Sequence, residues 1–514
     1  MKKFLKIIFN RFNLIILSVI LQLAIYVVVP ILINYFYPLV INNYFIPFNT
    51  IMSIVAVLLV IRIINSDMAV EGQLPLIILC ILVPIVGVAF CSLYVKTKIP
   101  KKQKKFASST KECIKSENQN FRDEIDDYKT ILGEDFGTFN YIFNSTSLRP
   151  YKNTNVQFFS TGEKFFDKLF ESLNSAKKYI FMEYFIIENG QIWDKIYEIL
   201  KDKANRGVEV RLMYDDLGTI YKLPNNFAKN IQKNGIKCIK FNEYSSATSA
   251  FYNNRDHRKI TVIDGTIGFI GGINLADEYA NIIQPFGKWK DSGLRLVGDG
   301  VKGLLQMFMQ LWCIQQKTFE DFSNYFEESQ NLVSGIVCPF GDGPKYFYGD
   351  HISENIFISL ISQAKESIYI TTPYLILDNR LKSALILASK KGVDVKIVTP
   401  HIPDKKMIFS ITRSNYKPLQ EAGVQILEYS EGFIHEKQIL VDRKLAIVGT
   451  INMDYRSLIH HYECGTLMYK TECLSEIEED FNEIFKVSID MKDYKQKAIV
   501  RIFCALVKLF TPIL

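Results

Sequence analysis

Two stretches of this 514-residue chain share the pattern His-x-Lys-x4-Asp, and their spacing still agrees at an asparagine ten residues further on. The first reads DHRKITVIDGTIGFIGGIN, and the second reads IHEKQILVDRKLAIVGTIN. The chain has only six histidines, and two of them, His257 and His435, occupy equivalent positions in these stretches. A single match could arise by chance, but two copies in register indicate a duplicated functional unit.

Each copy predicts a β-strand that presents a histidine and a lysine on one face. Apolar and polar residues alternate after the histidine, and Asp264 is followed by glycine, a strong signal for a two-residue hairpin turn. Residues two apart in a strand point to the same side of a sheet. His257 therefore shares a face with Lys259, and His435 shares a face with Lys437.

The returning strand of each predicted hairpin ends in small residues and is followed by an amide. Small residues let a backbone approach a ligand closely and offer N–H donors to an anion. The residues predicted to bind a phosphate are Gly272 and Asn274 in the first copy and Thr450 and Asn452 in the second. Asp264 and Asp442 fall at the hairpin turns, where Asp is favoured for its backbone hydrogen bonds, so we predict that they are mainly structural.

The paired motif resembles that of the phospholipase D superfamily, and the surrounding sequence is similar to bacterial cardiolipin synthases. The second copy continues as GTINMDYRSLIHHYE, similar to the synthases' stretch Gly-Ser/Thr-x-Asn-x-Asp-x-Arg-Ser-Phe-x-x-Asn-Phe-Glu. Leu458, His461 and Tyr462 stand where those synthases carry Phe, Asn and Phe. The resemblance runs from the first apolar segment to the C-terminus, and it is also carried by the segments 207–218, 288–301 and 371–385.

The resemblance implies a catalytic mechanism for the two motifs. The catalytic residues that it implies are His257, Lys259, Asp264, His435, Lys437 and Asp442. One histidine attacks the phosphorus of a phospholipid to form a phosphohistidine, while the other protonates the departing alcohol and then activates the incoming one. Analogy assigns the nucleophile to His257, although the residues themselves do not decide it. The lysines and asparagines would stabilise charge on the equatorial phosphate oxygens.

A later carboxylate commonly orients each histidine in this superfamily. Asp291 is the candidate for orienting His257, and Glu463 is the candidate for orienting His435. No metal or other cofactor is expected, because the chemistry needs none and the sequence has no Cys/His ligand cluster.

The two halves of the chain also repeat outside the motifs. Residues 166–187 parallel 354–376, and 205–216 parallel 390–401. Each half predicts a helix, a buried strand, a helix ending in glycine and another strand, which is typical of an α/β unit. We predict an α/β fold with two similar phospholipase D-like lobes, 151–345 and 346–490, joined by a connector within 320–350. Each lobe is expected to be a mixed β-sheet flanked by helices, in a pseudo-twofold pair with one composite active site.

An N-terminal membrane region, 1–105, is predicted to precede the lobes. Residues 14–33 and 74–94 are nearly continuous apolar stretches, each long enough to span a bilayer as a helix. The stretch 51–61 is shorter, and we expect it not to cross. Lysine and arginine cluster before the first stretch and over 96–105, so two spans would place both clusters, and the catalytic lobes, on the cytoplasmic side of the plasma membrane.

The other regions predict a membrane enzyme as well. The net charge of +7 and the polybasic run suit an anionic membrane surface and an anionic lipid. The nine cysteines lack CxxC spacing, which favours reduced thiols. We predict a polar linker over 106–150 and an amphipathic helix over 491–514, which would lie on the membrane or pack in a core.

The sequence therefore predicts a membrane-bound phosphatidyltransferase. By resemblance, it converts two phosphatidylglycerol molecules into cardiolipin and glycerol, with membrane phospholipids as its partners and no role for nucleic acid. A phospholipase D-type hydrolase, or a transferase with another alcohol acceptor, is an alternative. A non-catalytic lipid-binding scaffold is a second alternative, although its expected mark would be a lost His or Lys, and both pairs are intact.

Overall fold

A computed structural model describes residues 35, 44, 46–66, 68, 70–94, 101–243, 253–327 and 334–511. Its helices are α1 (Ile46–Ile64), α2 (Val70–Leu82), α3 (Pro84–Tyr94), α4 (Lys101–Glu117), α5 (Ile125–Leu132), α6 (Phe136–Thr146), α7 (Gly162–Ser175), α8 (Gln191–Asn205), α9 (Asp216–Thr219), α10 (Phe227–Gln232), α11 (Val301–Gln316), α12 (Lys345–Tyr348), α13 (Ile352–Gln363), α14 (Asn379–Lys390), α15 (Lys406–Arg413), α16 (Tyr416–Gln420), α17 (Leu474–Lys486) and α18 (Ala498–Lys508).

The strands alternate with these helices through most of the chain. They are β1 (Thr154–Phe159), β2 (Tyr179–Tyr184), β3 (Glu209–Asp215), β4 (Lys237–Phe241), β5 (Lys259–Ile263), β6 (Ile267–Gly271), β7 (Lys288–Lys290), β8 (Gly293–Gly298), β9 (Ile336–Asp342), β10 (Ser367–Thr371), β11 (Leu375–Ile376), β12 (Asp394–Pro400), β13 (Gln425–Tyr429), β14 (Gly432–Ile434), β15 (Gln438–Val441), β16 (Leu445–Gly449), β17 (Met453–Asp454), β18 (Glu463–Tyr469) and β19 (Ser488–Asp490).

The helices α1 to α3 and α18 belong to one compact unit of the chain. Among the described residues, α1 is the one helix that is long and apolar enough to cross a membrane, so the stretch 51–61 lies within a longer apolar helix than predicted. The stretch 14–33 lies outside the described residues. The prediction of one continuous span over 74–94 is wrong, because Pro84 begins a new helix after α2 ends at Leu82.

The helices α2 and α3 form a tight hairpin instead of a single span. At Gly87 in α3, a Cβ atom would lie only 2.5 Å from the Cα atom of Cys80 in α2, so glycine permits this close approach. The two helices have 13 and 11 residues, which gives them lengths of roughly 20 Å and 17 Å. Each is shorter than the hydrocarbon core of a bilayer, which is about 30 Å thick.

The described residues 101–243, 254–327 and 334–497 form a second unit that contains two mixed sheets flanked by helices. The first sheet has the strand order β1-β8-β6-β5-β2-β3-β4, and the second has the order β9-β18-β16-β15-β10-β12-β13-β19. Taken in these orders, the first seven strands of the second sheet occupy the same positions as the seven strands of the first sheet. In each, three parallel strands are followed by antiparallel neighbours. The prediction of two similar α/β lobes is therefore confirmed.

Two segments differ from the predicted division of this unit. The stretch predicted as a linker, 106–150, is largely helical, and Phe121, Tyr128 and Phe139 from it are buried in the core of the second lobe. The stretch assigned to the end of the first lobe contains β9, which pairs with β18 as an edge strand of the second sheet. The first error arises because polar surface residues surround the apolar residues that the segment buries, and the second arises because the position of β9 depends on its pairing with the distant strand β18.

Backbone pairing between the lobes occurs immediately before both motif histidines. Strand β14, which ends just before His435, pairs in parallel with β7, which ends just before Asp291. An isolated bridge joins Asp256, just before His257, to Tyr462, just before Glu463. The two lobes thus exchange equivalent contacts, and each motif is held in place by the opposite lobe.

Candidate active site

The two motif histidines are fixed by backbone hydrogen bonds to the opposite lobe. The backbone N–H of His257 donates to the carbonyl oxygen of Tyr462 at 2.9 Å, and that of His435 donates to the carbonyl oxygen of Lys290 at 2.7 Å. Both imidazoles are buried. Both histidines therefore lie where the two lobes meet, and His435 is close enough to contribute to the lowered pKa of His257.

The carboxylates that face the histidines are exchanged relative to the prediction. His257 Nδ1 lies 2.9 Å from an oxygen of Glu463, and His435 Nδ1 lies 2.6 Å from an oxygen of Asp291. The predicted pairing was wrong because each carboxylate was matched to the histidine nearer in sequence, whereas the contacts cross between the lobes. If Nδ1 donates its proton to the carboxylate, Nε2 keeps its lone pair and is free to react.

Burial controls the charge of both histidines and of Glu463. It lowers the pKa of His257 well below its ordinary value, with further lowering by Lys259, and it lowers the pKa of His435 to about 4. Burial also raises the pKa of the Glu463 carboxyl well above its ordinary range. Burial therefore disfavours the charged form of each of these groups, and a bound anionic phosphate would shift both imidazoles back towards protonation.

The two motif lysines are also buried, and each bonds to its own motif. Lys259 Nζ donates to the carbonyl oxygen of His257 at 2.7 Å, and Lys437 Nζ donates to that of His435. Burial lowers the pKa of Lys259 to about 8 and that of Lys437 to about 7. The surrounding protein thus compensates their ammonium groups poorly, and an anionic ligand would stabilise them.

The motif aspartates have a structural position, as predicted. Asp264 accepts hydrogen bonds from the backbone N–H groups of Lys177, Lys178 and Tyr179, at 2.7–2.8 Å. Asp442 accepts the equivalent three bonds from residues 365–367 in the second lobe. Each aspartate therefore ties a hairpin turn to the start of the neighbouring strand, β2 or β10.

The small residues after each hairpin do not offer free N–H donors, in contrast to the expectation. The backbone N–H of Gly272 donates to Ser292, and that of Thr450 donates to Cys464. Gly272 instead makes room for a carboxylate, since a Cβ atom there would lie 2.1 Å from an oxygen of Asp291. The hydroxyl of Thr450 donates to the same Glu463 oxygen that faces His257.

The predicted phosphate-binding asparagines differ in how they are bonded. Asn274 is already satisfied, because its Oδ1 accepts from the backbone N–H of Ile186 and its Nδ2 donates to the hydroxyl of Tyr279. The Oδ1 atom of Asn452 is buried and has no hydrogen-bond partner within the described part of the chain. Asn452 is therefore the asparagine with spare hydrogen-bonding capacity at the site.

Aromatic side chains surround the histidines, and the sequence did not single them out. The ring of Phe185 lies 4.9 Å from that of His257, and Trp289, Tyr279 and Phe433 lie 5.2–5.9 Å from the ring of His435. Trp289 lies two residues before Asp291, in the segment Lys-Trp-Lys-Asp that carried the resemblance. Its proximity to a candidate carboxylate was the available signal.

A third histidine lies beside His257. The rings of His461 and His257 are 5.4 Å apart, and His461 Nδ1 is 3.4 Å from the Glu463 oxygen that does not face His257. These three residues offer ligand atoms that all lie within 4.8 Å of one another. The sequence showed His461 only as a departure from the related synthases, so it did not predict this cluster.

Comparison with known proteins agrees with this fold. A family model described as "Cardiolipin synthase, PLD-like domain" matches residues 169–282 and 357–485. A solved phosphatidylserine synthase of Haemophilus influenzae Rd KW20 superposes over 73% of this chain and 100% of its own, with a TM-score of 0.57 and 15% identity. That likeness supports the fold. Fold and family model together define a phosphatidyltransferase of the phospholipase D superfamily.

Two sequence relatives make the assignment more specific. An uncharacterized protein of Streptococcus mutans serotype c is 43% identical over 381 residues, which cover 73% of this chain and 82% of the relative. A cardiolipin synthase of Geobacillus sp. (strain WCH70) is 35% identical over 369 residues, which cover 70% and 72%. The chain belongs to the cardiolipin synthase family.

Proposed function

We propose that this phospholipid synthase transfers a phosphatidyl group from one phosphatidylglycerol to a hydroxyl of another, giving cardiolipin and glycerol. The observation that carries the proposal is the pair of buried His/Lys motifs facing carboxylates across the lobes. The related synthases supply the choice of phosphatidylglycerol as donor and acceptor.

In the first half-reaction, the Nε2 lone pair of one histidine attacks the phosphorus, and the bond from phosphorus to the glycerol head group breaks. The other histidine, protonated in the complex, gives its proton to the departing oxygen. By family analogy His257 is the nucleophile and His435 is the acid. Lys259 and Lys437 balance the charge of the phosphate oxygens, and Asn452 has an unused acceptor for a donor on the lipid.

In the second half-reaction, the oxygen of the acceptor hydroxyl forms a bond to phosphorus as the phosphorus–nitrogen bond breaks. The acceptor's proton passes to the histidine that acted as the acid, which restores the starting state. Asp291 and Glu463 hold the imidazoles in the tautomer that this cycle needs. A buried site favours an alcohol over water, because water exclusion limits hydrolysis of the intermediate.

A multi-pass position in the bacterial plasma membrane, with the lobes on the cytoplasmic side, is part of the proposal. Its support is the apolar helix α1 and the lysine clusters of the sequence. We also propose that α18 lies on the membrane, because it exposes the apolar residues Ile499, Ile502, Phe503 and Leu506 at helical spacing. A membrane surface at this helix would cover them.

Purified full-length protein in mixed micelles of phosphatidylglycerol tests the reaction, with lipids and released glycerol followed by mass spectrometry. We expect cardiolipin and glycerol in equal amounts, in the presence of EDTA. Phosphatidic acid as the sole product would show that the protein hydrolyses the lipid and does not transfer its phosphatidyl group. No turnover of any phospholipid would favour a lipid-binding scaffold. Protein denatured at alkaline pH, where a phosphorus–nitrogen bond survives, should carry labelled phosphate on His257. Label on His435 would reverse the two roles.

A further inference from the structure

His461 and Glu463 have hydrogen-bonding capacity that their surroundings leave unused. His461 is 8% exposed, and neither of its ring nitrogens has a hydrogen-bond partner among the described residues. The Glu463 oxygen nearest to His461 also lacks one in the same part of the chain. Leaving a buried polar group unpaired costs about 1–3 kcal/mol, so a ligand that bonded to these three neighbouring atoms would be stabilised here.

We propose that His257, His461 and Glu463 bind one Zn²⁺ ion, and that the bound ion inhibits the enzyme. Bond lengths of about 2.0–2.2 Å from zinc to nitrogen and oxygen place neighbouring ligand atoms of a tetrahedron roughly 3.3 Å apart. The Nδ1 atoms of His257 and His461 lie 2.9 Å and 3.4 Å from different oxygens of Glu463. One ligand atom from each of the three residues lies within 4.8 Å of the other two, so small side-chain rotations complete the site.

The chemistry of the three ligands suits zinc. Two imidazoles and one carboxylate are a ligand set that proteins use for zinc, with a fourth position open to water. The site also contains the second carboxylate, Asp291, which balances part of the charge of the two lysines. The other half of the site cannot form this cluster, because Trp289 occupies the position equivalent to His461, two residues before the carboxylate.

Zinc would inhibit by changing the tautomer of His257. A neutral imidazole carries one proton, so a coordinate bond from Nδ1 to zinc moves that proton to Nε2. The lone pair that attacks phosphorus, or that accepts a proton, is then gone. This consequence rests on the proposed transferase function, whereas binding of the ion does not.

Metal binding is tested on EDTA-treated full-length protein in detergent, by titration with Co²⁺ followed in visible absorption and then by displacement with Zn²⁺. We expect one ion per chain and the strong absorption of tetrahedral cobalt. His461→Asn, which introduces the residue usual in related synthases, should weaken binding by at least ~100-fold. His460→Asn is the matched control, since it makes the same chemical change one residue away, and it should bind as the parent does.

Turnover of phosphatidylglycerol is then measured with and without stoichiometric Zn²⁺. Zinc should stop the parent and His460→Asn, and EDTA should restore both. Unchanged binding in His461→Asn, no stoichiometric binding by the parent, or full turnover with the ion bound would each overturn the proposal. If the metal-free parent shows no turnover, the proposed function fails while the cobalt titration still decides the site.

Discussion

The two halves of the active site share a backbone plan but differ in the side chains around each histidine. His257 has Glu463 as its carboxylate, with the hydroxyl of Thr450 on that carboxylate and His461 beside the ring. His435 has the shorter Asp291, which packs against Gly272, and Trp289 beside the ring. The first histidine therefore has more polar neighbours beside one aromatic ring, that of Phe185, and the second has more aromatic neighbours.

This difference fits a reaction in which two similar imidazoles have different roles. One imidazole must form a bond to phosphorus, while the other must give and take protons. A symmetric site would give both histidines the same properties, whereas the polar and aromatic surroundings here separate them. The asparagines differ in the same way, since Asn274 is tied to Ile186 and Tyr279 while Asn452 keeps an unused oxygen.

The largest expected effect comes from removing either histidine. His257→Ala and His435→Ala should each lower turnover by at least ~10³-fold, because each half-reaction needs both imidazoles. Circular dichroism should show that both variants stay folded. His401→Ala is the control, since His401 pairs with Glu428 away from both motifs and should retain activity. Substantial turnover by either variant would refute a composite site.

The exchanged carboxylates predict effects that cross between the lobes. Glu463→Gln and Asp291→Asn should each lower turnover by about 10²–10⁴-fold, because the tautomer of the facing imidazole is no longer fixed. With only six histidines in the chain, selective ¹⁵N-histidine labelling can assign the imidazoles. Glu463→Gln should shift the His257 signals and leave those of His435 in place. A shift of the His435 signals instead would support the pairing predicted from the sequence, in which Glu463 faces His435.

The sequence predicted the fold and the strands that follow each motif histidine well, because both depend on local patterns. Alternation identified the strands, and the repeat identified the lobes. The exchange of Asp291 and Glu463 could not be predicted, since it depends on strands of opposite lobes pairing beside each motif. The hydrogen bonds of the Gly272 and Thr450 N–H groups could not be predicted either, because they also depend on contacts between distant segments of the chain.

A third prediction concerns the close packing of Gly272. In Gly272→Ala, the new Cβ atom would meet an oxygen of Asp291 at 2.1 Å and push this carboxylate away from His435. A displacement of this size near a reacting group costs roughly 10²-fold in turnover. The steady-state rate at saturating lipid measures it. Wild-type turnover in Gly272→Ala would show that the position of Asp291 does not matter.

Thr450 is the equivalent residue of the other half, and a smaller effect is expected there. Thr450→Val keeps the shape of the side chain but removes the hydroxyl that donates to Glu463. Turnover should fall by about 10-fold, as for other groups that orient a catalytic side chain indirectly. Thr450→Ser restores the hydroxyl and should recover most of the rate. Equal rates for the Val and Ser variants would show that the hydroxyl of Thr450 does not orient Glu463.

The smallest effect is a pH dependence that separates the two lysines. Lys437, with a pKa lowered to about 7 by burial, carries its charge below that pH and loses it above, and Lys259 does so at about 8. Because kcat/KM reports the free enzyme, in which His435 loses its proton at lower pH, the lysines should add a further fall in kcat/KM for an anionic lipid as pH rises through 7 to 8. In the complex the phosphate stabilises both ammonium groups, so kcat should stay level to higher pH.

Lys437→Arg stays charged, so its normalised kcat/KM profile should lose the fall near pH 7 and keep the one near 8. A parent profile that is level to pH 9 would show that neither lysine titrates in this range, and the two halves would then not differ in their cations.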